Sequence, residues 1–115
     1  YKGWLDRRVV DDFTHFARCC FKEFGEKVKH WITVNEPWCA AVLGYASGEH
    51  APGRKEAADR EPYIAAHNML LAHANAVRCF RKEFSMQVGK IGLSLNMDWK
   101  ESLSVLKEDQ AAQQR

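Results

Sequence analysis

The chemically suggestive stretch of this 115-residue sequence is "WITVNEPW", from Trp31 to Trp38. An apolar, β-branched run stops on a carboxamide, Asn35, and a carboxylic acid, Glu36, and Pro37 bars simple continuation of a strand. A glutamate held between apolar walls has its charged form disfavoured, which raises its pKa. Such a group is suited to act as a general acid near neutral pH. Asn35 is placed to hydrogen-bond a substrate hydroxyl, and Trp38 offers a flat apolar face for a sugar ring or an aromatic group. On spacing alone, a strand-end salt bridge is the competing reading of Glu36.

The elements that must position these residues are legible in outline. Apolar residues at Val9, Val10, Phe13, Phe16, Ala17, Cys20, Phe21 and Phe24 recur in steps of three and four, which predicts a helix over 7–24. Asp6 is its expected N-cap, and Gly25 is expected to end it in the left-handed conformation. Residues 31–34 read as a strand apolar on both faces, as in a parallel sheet covered on both sides. Residues 38–60, with "LGYASGEHAPGR", read as a long irregular loop of the kind that is functional or disordered. Pro62 suits a first helical turn, and Tyr63, Ile64, Ala66, Leu70, Leu71, Ala74, Val77 and Phe80 carry the helical period on to Phe84. Residues 91–95 read as a second strand ending at Asn96, and 107–115 as the opening turns of a third helix.

This order alternates strand and helix, which implies an α/β fold with a parallel sheet and right-handed crossovers. In such folds active sites gather at the carboxyl ends of the strands. Asn35 and Glu36 lie at one such end, Asn96 lies at the next, and the long loop leaves from the same rim. Two strands with two and a half helices do not complete a sheet, because each strand keeps an unpaired edge. The chain is therefore expected to be a piece of a larger barrel or sheet. It begins on Tyr1 rather than Met, so a start further upstream is expected. No internal domain boundary is indicated.

Composition narrows the function classes. Seventeen Lys and Arg against fifteen Asp and Glu give a formal charge of +2, too balanced to imply nucleic acid or an anionic membrane surface. No apolar run approaches the roughly 20 residues that span a bilayer. Cys19, Cys20, Cys39 and Cys79 form no C-x-x-C pair and read as reduced, buried thiols of a cytosol-like compartment. His67 and His73 are six residues apart, whereas two zinc ligands on one helix face are four apart, so packed, hydrogen-bonded histidines are expected and no metal. His15 and His30 have no chemical context, Trp4, Trp31 and Trp99 read as core or rim packing, and "GRKEAADRE" reads as a solvated loop face.

With the segments in view, "WITVNEPW" closely resembles the T-x-N-E-P motif of family 1 glycoside hydrolases, the retaining β-glucosidases and β-glycosidases. "GWLDRRVVDDF", "EFGEKVKHWIT", "GYASGEHAPGR", "PYIAAHNMLLAHANAV" and "KIGLSLNMDW" resemble further segments of that family in the family's order, so the likeness covers the whole chain. The resemblance implies part of a (β/α)8 TIM barrel, from about the third helix to the start of the fifth. It implies that Glu36 is the general acid/base and that Asn35 binds the sugar 2-hydroxyl. It places Trp38 and His50 on the aglycone side of the cleft and Asn96 as a further polar group near it. It implies no cofactor and a small β-glycoside as substrate. Lys2 and Ser102 depart from a common Gly and a common Pro, away from the site.

Retaining hydrolysis needs a second carboxylate about 5–5.5 Å from the first. The family carries it in an E-N-G motif, and no Glu in this chain is followed by Asn-Gly. Glu49, Asp98 and Glu101 lie toward the same rim but outside that motif. The remainder of the barrel is thus expected to be needed for a complete fold and site. A non-catalytic sugar-binding or interaction module derived from the barrel, and a transglycosidase using the same residues, are the alternatives. The 115-residue chain by itself is expected to release no phenol from an aryl β-glucoside. Turnover by the purified chain that Glu36→Gln abolishes would overturn that expectation.

Overall fold

The computed structural model describes residues 1–113. A single 3-10 turn, Gly3–Leu5, precedes helix α1, Arg8–Phe24, and strand β1, His30–Asn35. A π-helical turn, Cys39–Leu43, follows, and then helix α2, Glu61–Glu83, strand β2, Lys90–Ser94, and helix α3, Lys107–Gln113. The long helices and both strands lie within one residue of where sequence periodicity puts them. The final residues of the expected third helix, 114–115, fall outside the described residues.

α1 starts as its sequence dictates. Asp6 Oδ1 accepts the backbone N–H of Arg8 at 2.9 Å, and the same carboxylate takes the Arg8 guanidinium at 2.9 and 2.7 Å. This removes one of the unpaired donors of the first turn. The C-terminal end corrects the sequence reading. Gly25 has φ −61 and ψ −25, ordinary right-handed helix, so it is not a left-handed cap. Its lack of a side chain serves a close approach instead, because an added Cβ would overlap the Gln87 carboxamide. Gln87 Nε2 in turn donates to Phe21 O at 3.0 Å, one of the carbonyls at the end of α1.

β1 and β2 pair in parallel, with His30 opposite Lys90, Trp31 opposite Ile91 and Ile32 opposite Gly92. The next partners are Asn35 and Ser94, so β1 takes three steps where β2 takes two. That is a bulge, one extra residue on β1. Trp31 packs toward the helices, Ile32 is exposed, Thr33 is half-buried, Val34 is buried and Asn35 is exposed. Simple alternation would put Thr33 and Val34 on opposite faces. The bulge lets both turn toward α2.

Two apolar clusters hold the helices to the strands. Ala17 and Phe21 of α1 meet Ala76, Cys79 and Phe80 of α2, flanked by Trp31, Phe84 and Ile91. Phe21 packs edge-on against Trp31, Phe80 and Phe84 with ring centroids 5.0, 5.1 and 5.7 Å away. Each such aromatic pair contributes about 0.5–1.5 kcal/mol beyond area burial. The second cluster joins Val34, Ala41, Tyr45, Ala65 and Met69, with Phe13 touching both.

The packed face of α2 differs from the stripe expected from its large residues. Ala65, Met69, Ala72, Ala76, Cys79 and Phe80 are buried, whereas Tyr63, Ile64 and Leu70 are exposed. Alanines with no solvent exposure at 65, 72 and 76 let the helix lie close on its neighbours. A periodicity weighted by side-chain size picks the other flank of a helix that is apolar on both. Phe16 and Phe24 of α1 are likewise exposed, as is Ile32 on the open face of the sheet. Among the described residues the sheet has two strands and one covered face, so the expectation of a strand covered on both sides is half met.

Residues 38–60 are also more ordered than a loop reading predicts. Pro37 stops the strand and opens a helical turn, where its missing N–H has no partner to lose. The turn widens to π geometry, and Ser47 N–H reaches Val42 O at 3.0 Å. Gly44 lies under the Ala51 carbonyl, which an added Cβ would meet at 2.8 Å. Arg54 N–H donates to Gly44 O at 2.9 Å, and its guanidinium grips both oxygens of Glu61 at 2.7 Å. "GRKEAADRE" is therefore not simply a solvated face: a bidentate pair inside it pins the loop to the first turn of α2. Hydrogen bonding to Arg54 lowers the Glu61 pKa below the ordinary carboxylate value.

The Gly25–Gln87 contact is directly testable. Gly25→Ala is expected to destabilise the protein by about 1–3 kcal/mol in urea denaturation, as overpacked sites do. Gln87→Ala removes the obstacle, so the double variant should lose less than the sum of the singles. Strict additivity would show that the contact carries no energy.

Candidate functional site

The site is built where β1 ends beside β2. Glu36 has φ 45, in the left-handed region that a residue with a Cβ enters at a cost of about 1–2 kcal/mol. Two backbone hydrogen bonds hold it there. Its N–H donates to Ser94 O at 2.8 Å, extending the ladder one residue past β1, and its C=O accepts from Ala40 N–H at 3.2 Å. One bond ties Glu36 to the neighbouring strand and the other to the turn that follows. Strain held between two rigid elements is a recurrent mark of functional positions.

The carboxylate is half-buried, and its one side-chain partner among the described residues is a thiol. Cys39 Sγ donates to Glu36 Oε2 at 3.2 Å. The hydrogen bond to Glu36, then burial, then the nearby negative charge raise the Cys39 pKa above the usual thiol value. Sequence proximity alone puts Cys39 near Glu36 as an inert buried thiol, and the structure adds the hydrogen bond between them. The contact follows from the helical turn that opens at Pro37, which brings residue 39 back beside residue 36, and that turn depends on the left-handed backbone of Glu36. No strand-end salt bridge to Glu36 is present among the described residues.

The other expected residues distribute unevenly. Asn35 is exposed on the uncovered face of the sheet, next to Glu36 and opposite Ser94. Trp38 is 54% exposed and lines an open cleft of about 350 Å³ together with Asn96, Met97 and Asp98. Trp38 and Asn96, separated in sequence, thus meet at one rim. His50 stands apart in the loop, where its N–H donates to Leu43 O at 3.0 Å and its C=O accepts from Gly53 at 2.8 Å. It is exposed, and no hydrogen bond joins its ring to Glu36 among the described residues. Asp98 lines the Trp38 cleft, whereas Glu101 accepts Trp99 Nε1–H at 2.9 Å and Glu49 is exposed in the loop.

Sequence readings elsewhere divide in the same way. His73 is half-buried and hydrogen-bonded, as expected, whereas His67 is exposed rather than packed. Cys79 is buried but Cys19 is exposed, so burial does not extend to every thiol. Trp4 and Trp31 pack in the clusters, and Trp99 is 80% exposed. None of the helices among the described residues is long and apolar enough to cross a membrane.

The sequence pattern of glycosyl hydrolase family 1 matches residues 1–115. The chain belongs to glycosyl hydrolase family 1. Among its curated relatives, a furostanol glycoside 26-O-β-glucosidase of Hellenia speciosa is 49% identical over the whole chain, which corresponds to 22% of that protein. β-Glucosidase 11 of Oryza sativa subsp. japonica is 46% identical, again over the whole chain and 24% of its own length. The family 1 chain thus spans about a quarter of these relatives. A crystal structure of a rice β-glucosidase superposes with a TM-score of 0.84 at 43% identity, covering 99% of this chain and 26% of that one. A glutamate-to-glutamine mutant of that rice enzyme was solved in a covalent complex with glucose, with the same TM-score and 42% identity. A partial (β/α)8 barrel fits these neighbours, and two parallel strands backed by helices are the corresponding local architecture.

The Cys39–Glu36 contact predicts an order of thiol reactivity. Alkylation by iodoacetamide, followed by mass spectrometry, should label exposed Cys19 well before Cys39. Glu36→Gln removes the negative charge and weakens the acceptor, so the Cys39 pKa should fall and its labelling accelerate severalfold. Unchanged labelling of Cys39 in that variant would exclude the contact.

Proposed function

We propose that the protein of which this chain is part hydrolyses β-glucosidic bonds with retention, and that Glu36 is its general acid/base. The carrying observation is the placement of Glu36. It stands at the carboxyl end of a parallel strand, in a left-handed backbone conformation locked by Ser94 O, at the rim where Trp38 and Asn96 meet. Family membership supports the reaction class, and the covalent glucose complex of the related rice enzyme supports retention.

In the first step a carboxylate nucleophile attacks the anomeric carbon while Glu36 gives its proton to the departing glycosidic oxygen. The alcohol leaves and a glycosyl ester forms. In the second step the Glu36 carboxylate takes a proton from water, the water oxygen attacks the same carbon, and the ester carboxylate is released. Glu36 ends protonated, ready for the next cycle. The nucleophile lies about 5–5.5 Å from Glu36 and is supplied by the part of the protein outside these 115 residues. Asn35 binds the sugar 2-hydroxyl from the open face of the sheet. Trp38 and His50 border the aglycone, with Asn96 as a further polar group across the cleft from Trp38. The described elements take the places of the third helix, fourth strand, fourth helix, fifth strand and the opening of the fifth helix of one barrel.

A leaving-group series tests the assignment in the full-length protein. Glu36→Gln should lower the rate of glycosyl transfer to the enzyme by roughly 10²–10⁴-fold for alkyl β-glucosides, whose alkoxide needs a proton. The loss in that step should shrink sharply for dinitrophenyl β-glucoside, whose phenolate leaves unaided. An equal loss on both substrates, or none, would remove Glu36 from the acid role.

A further inference from the structure

The ring of His73 meets the strands at the one place where their ladder slips. His73 Nδ1 is 2.7 Å from Thr33 Oγ1, and Thr33 Oγ1 is 3.2 Å from Gly92 O. Three elements, α2, β1 and β2, are thereby joined through two hydrogen bonds centred on one hydroxyl. A hydroxyl has a single proton, so one arrangement satisfies all three groups: His73 Nδ1–H donates to Thr33, and Thr33 O–H donates to the Gly92 carbonyl. Partial burial, and then the charge of Arg81, lower the His73 pKa and favour the neutral ring, whose single N–H this arrangement places on Nδ1.

The position of this contact sets which way the proposed catalytic residues face. Trp31 and Thr33 turn toward the helices, and strict alternation would send Asn35 the same way. Instead the extra residue lets Val34 join Ala65 and Met69 in the core. Asn35 then emerges on the open face, on the same side as Ile32, and Glu36 N–H falls opposite Ser94 O. Val34 burial favours the slip from one side, and the His73–Thr33–Gly92 chain fastens it from the other.

We propose that His73 is a positioning residue. Acting through Thr33, it holds the one-residue slip of β1 and so fixes the direction of Asn35 and Glu36. The catalytic consequence rests on the reading of Glu36 as acid/base, whereas the structural consequence does not.

The experiment uses the full-length protein with Thr33→Val, Thr33→Ser, His73→Phe and His73→Asn. Thr33→Val is nearly isosteric and removes the hydroxyl, so it carries the test if His73→Phe fails to fold. Asn presents an amide N–H near the place of Nδ1–H, and Ser keeps the hydroxyl. Thr33→Val and His73→Phe should lower kcat on an aryl β-glucoside by about 10–100-fold, the effect of misplacing a catalytic group by about an ångström, with KM changed far less. Native-state hydrogen exchange at the Glu36 amide should accelerate in the same two variants. His73→Asn and Thr33→Ser should restore most of both readouts. Loss of kcat in His73→Asn equal to that in His73→Phe would overturn the proposal, as would a Glu36 amide whose exchange is unmoved by Thr33→Val. If the wild type and Glu36→Gln turn over the glucoside equally, the reading of Glu36 as acid/base fails, and amide exchange alone then decides whether His73 holds the slip.

Discussion

The hydrogen bond from Glu36 N–H to Ser94 O, at 2.8 Å, is the constraint on which the rest of the site depends. It carries the parallel ladder past the end of β1 and holds a residue with a side chain in the left-handed region. It can form only because β1 has already slipped by one residue against β2. The slip is not a local accident of the strand. It is held on the helix side by Val34 packing against Ala65 and Met69, and by Thr33 bonding to His73. Remote packing on α2 thereby sets the direction of a carboxylate at the rim.

The same division recurs below the rim. The base of the fold is apolar and closely packed, with Phe21 at the meeting of four aromatic rings and alanines letting α2 approach the sheet. The rim is polar and held by directional bonds. Arg54 clamps Glu61, Tyr45 Oη accepts Trp4 N–H at 3.0 Å, and Asn68 Nδ2 donates to Trp4 O at 2.8 Å. Buried apolar contacts resist shear but specify direction poorly. Hydrogen bonds and ion pairs add the direction that a site at a strand end requires.

The elements themselves were legible because their periods are strong. Apolar steps of three and four outlined α1 and α2, a β-branched run outlined β1, and the apolar Ile91, Leu93 and Leu95 outlined β2, each within a residue. The errors have particular causes. α2 is apolar on two flanks, and residue size pointed to Tyr63 and Leu70 where close approach needed Ala65 and Ala72. Pro37 was legible as a strand stop, but that it opens a helical turn depends on Glu36 reversing the chain first. Gly25 suggested a cap by its identity alone, and its use against Gln87 involves a residue 62 positions away. Cys39 reads as an inert buried thiol close to Glu36 in sequence, and the turn that puts its Sγ on the carboxylate forms only once Glu36 has reversed the chain.

By itself, the sequence determined the order of elements, the parallel pairing, the rim position of Asn35 and Glu36, and the family through the motif around them. These follow from local periodicity and short-range chemistry, which act along the chain. Tertiary structure alone decided the one-residue slip, the face on which Asn35 emerges, the flank of α2 that is buried and the partner that Glu36 finds in Cys39. Each is a competition between two locally acceptable arrangements. Contacts between distant residues resolve it, such as Thr33 with His73 and Val34 with Met69, and their energies exist only once the elements have packed.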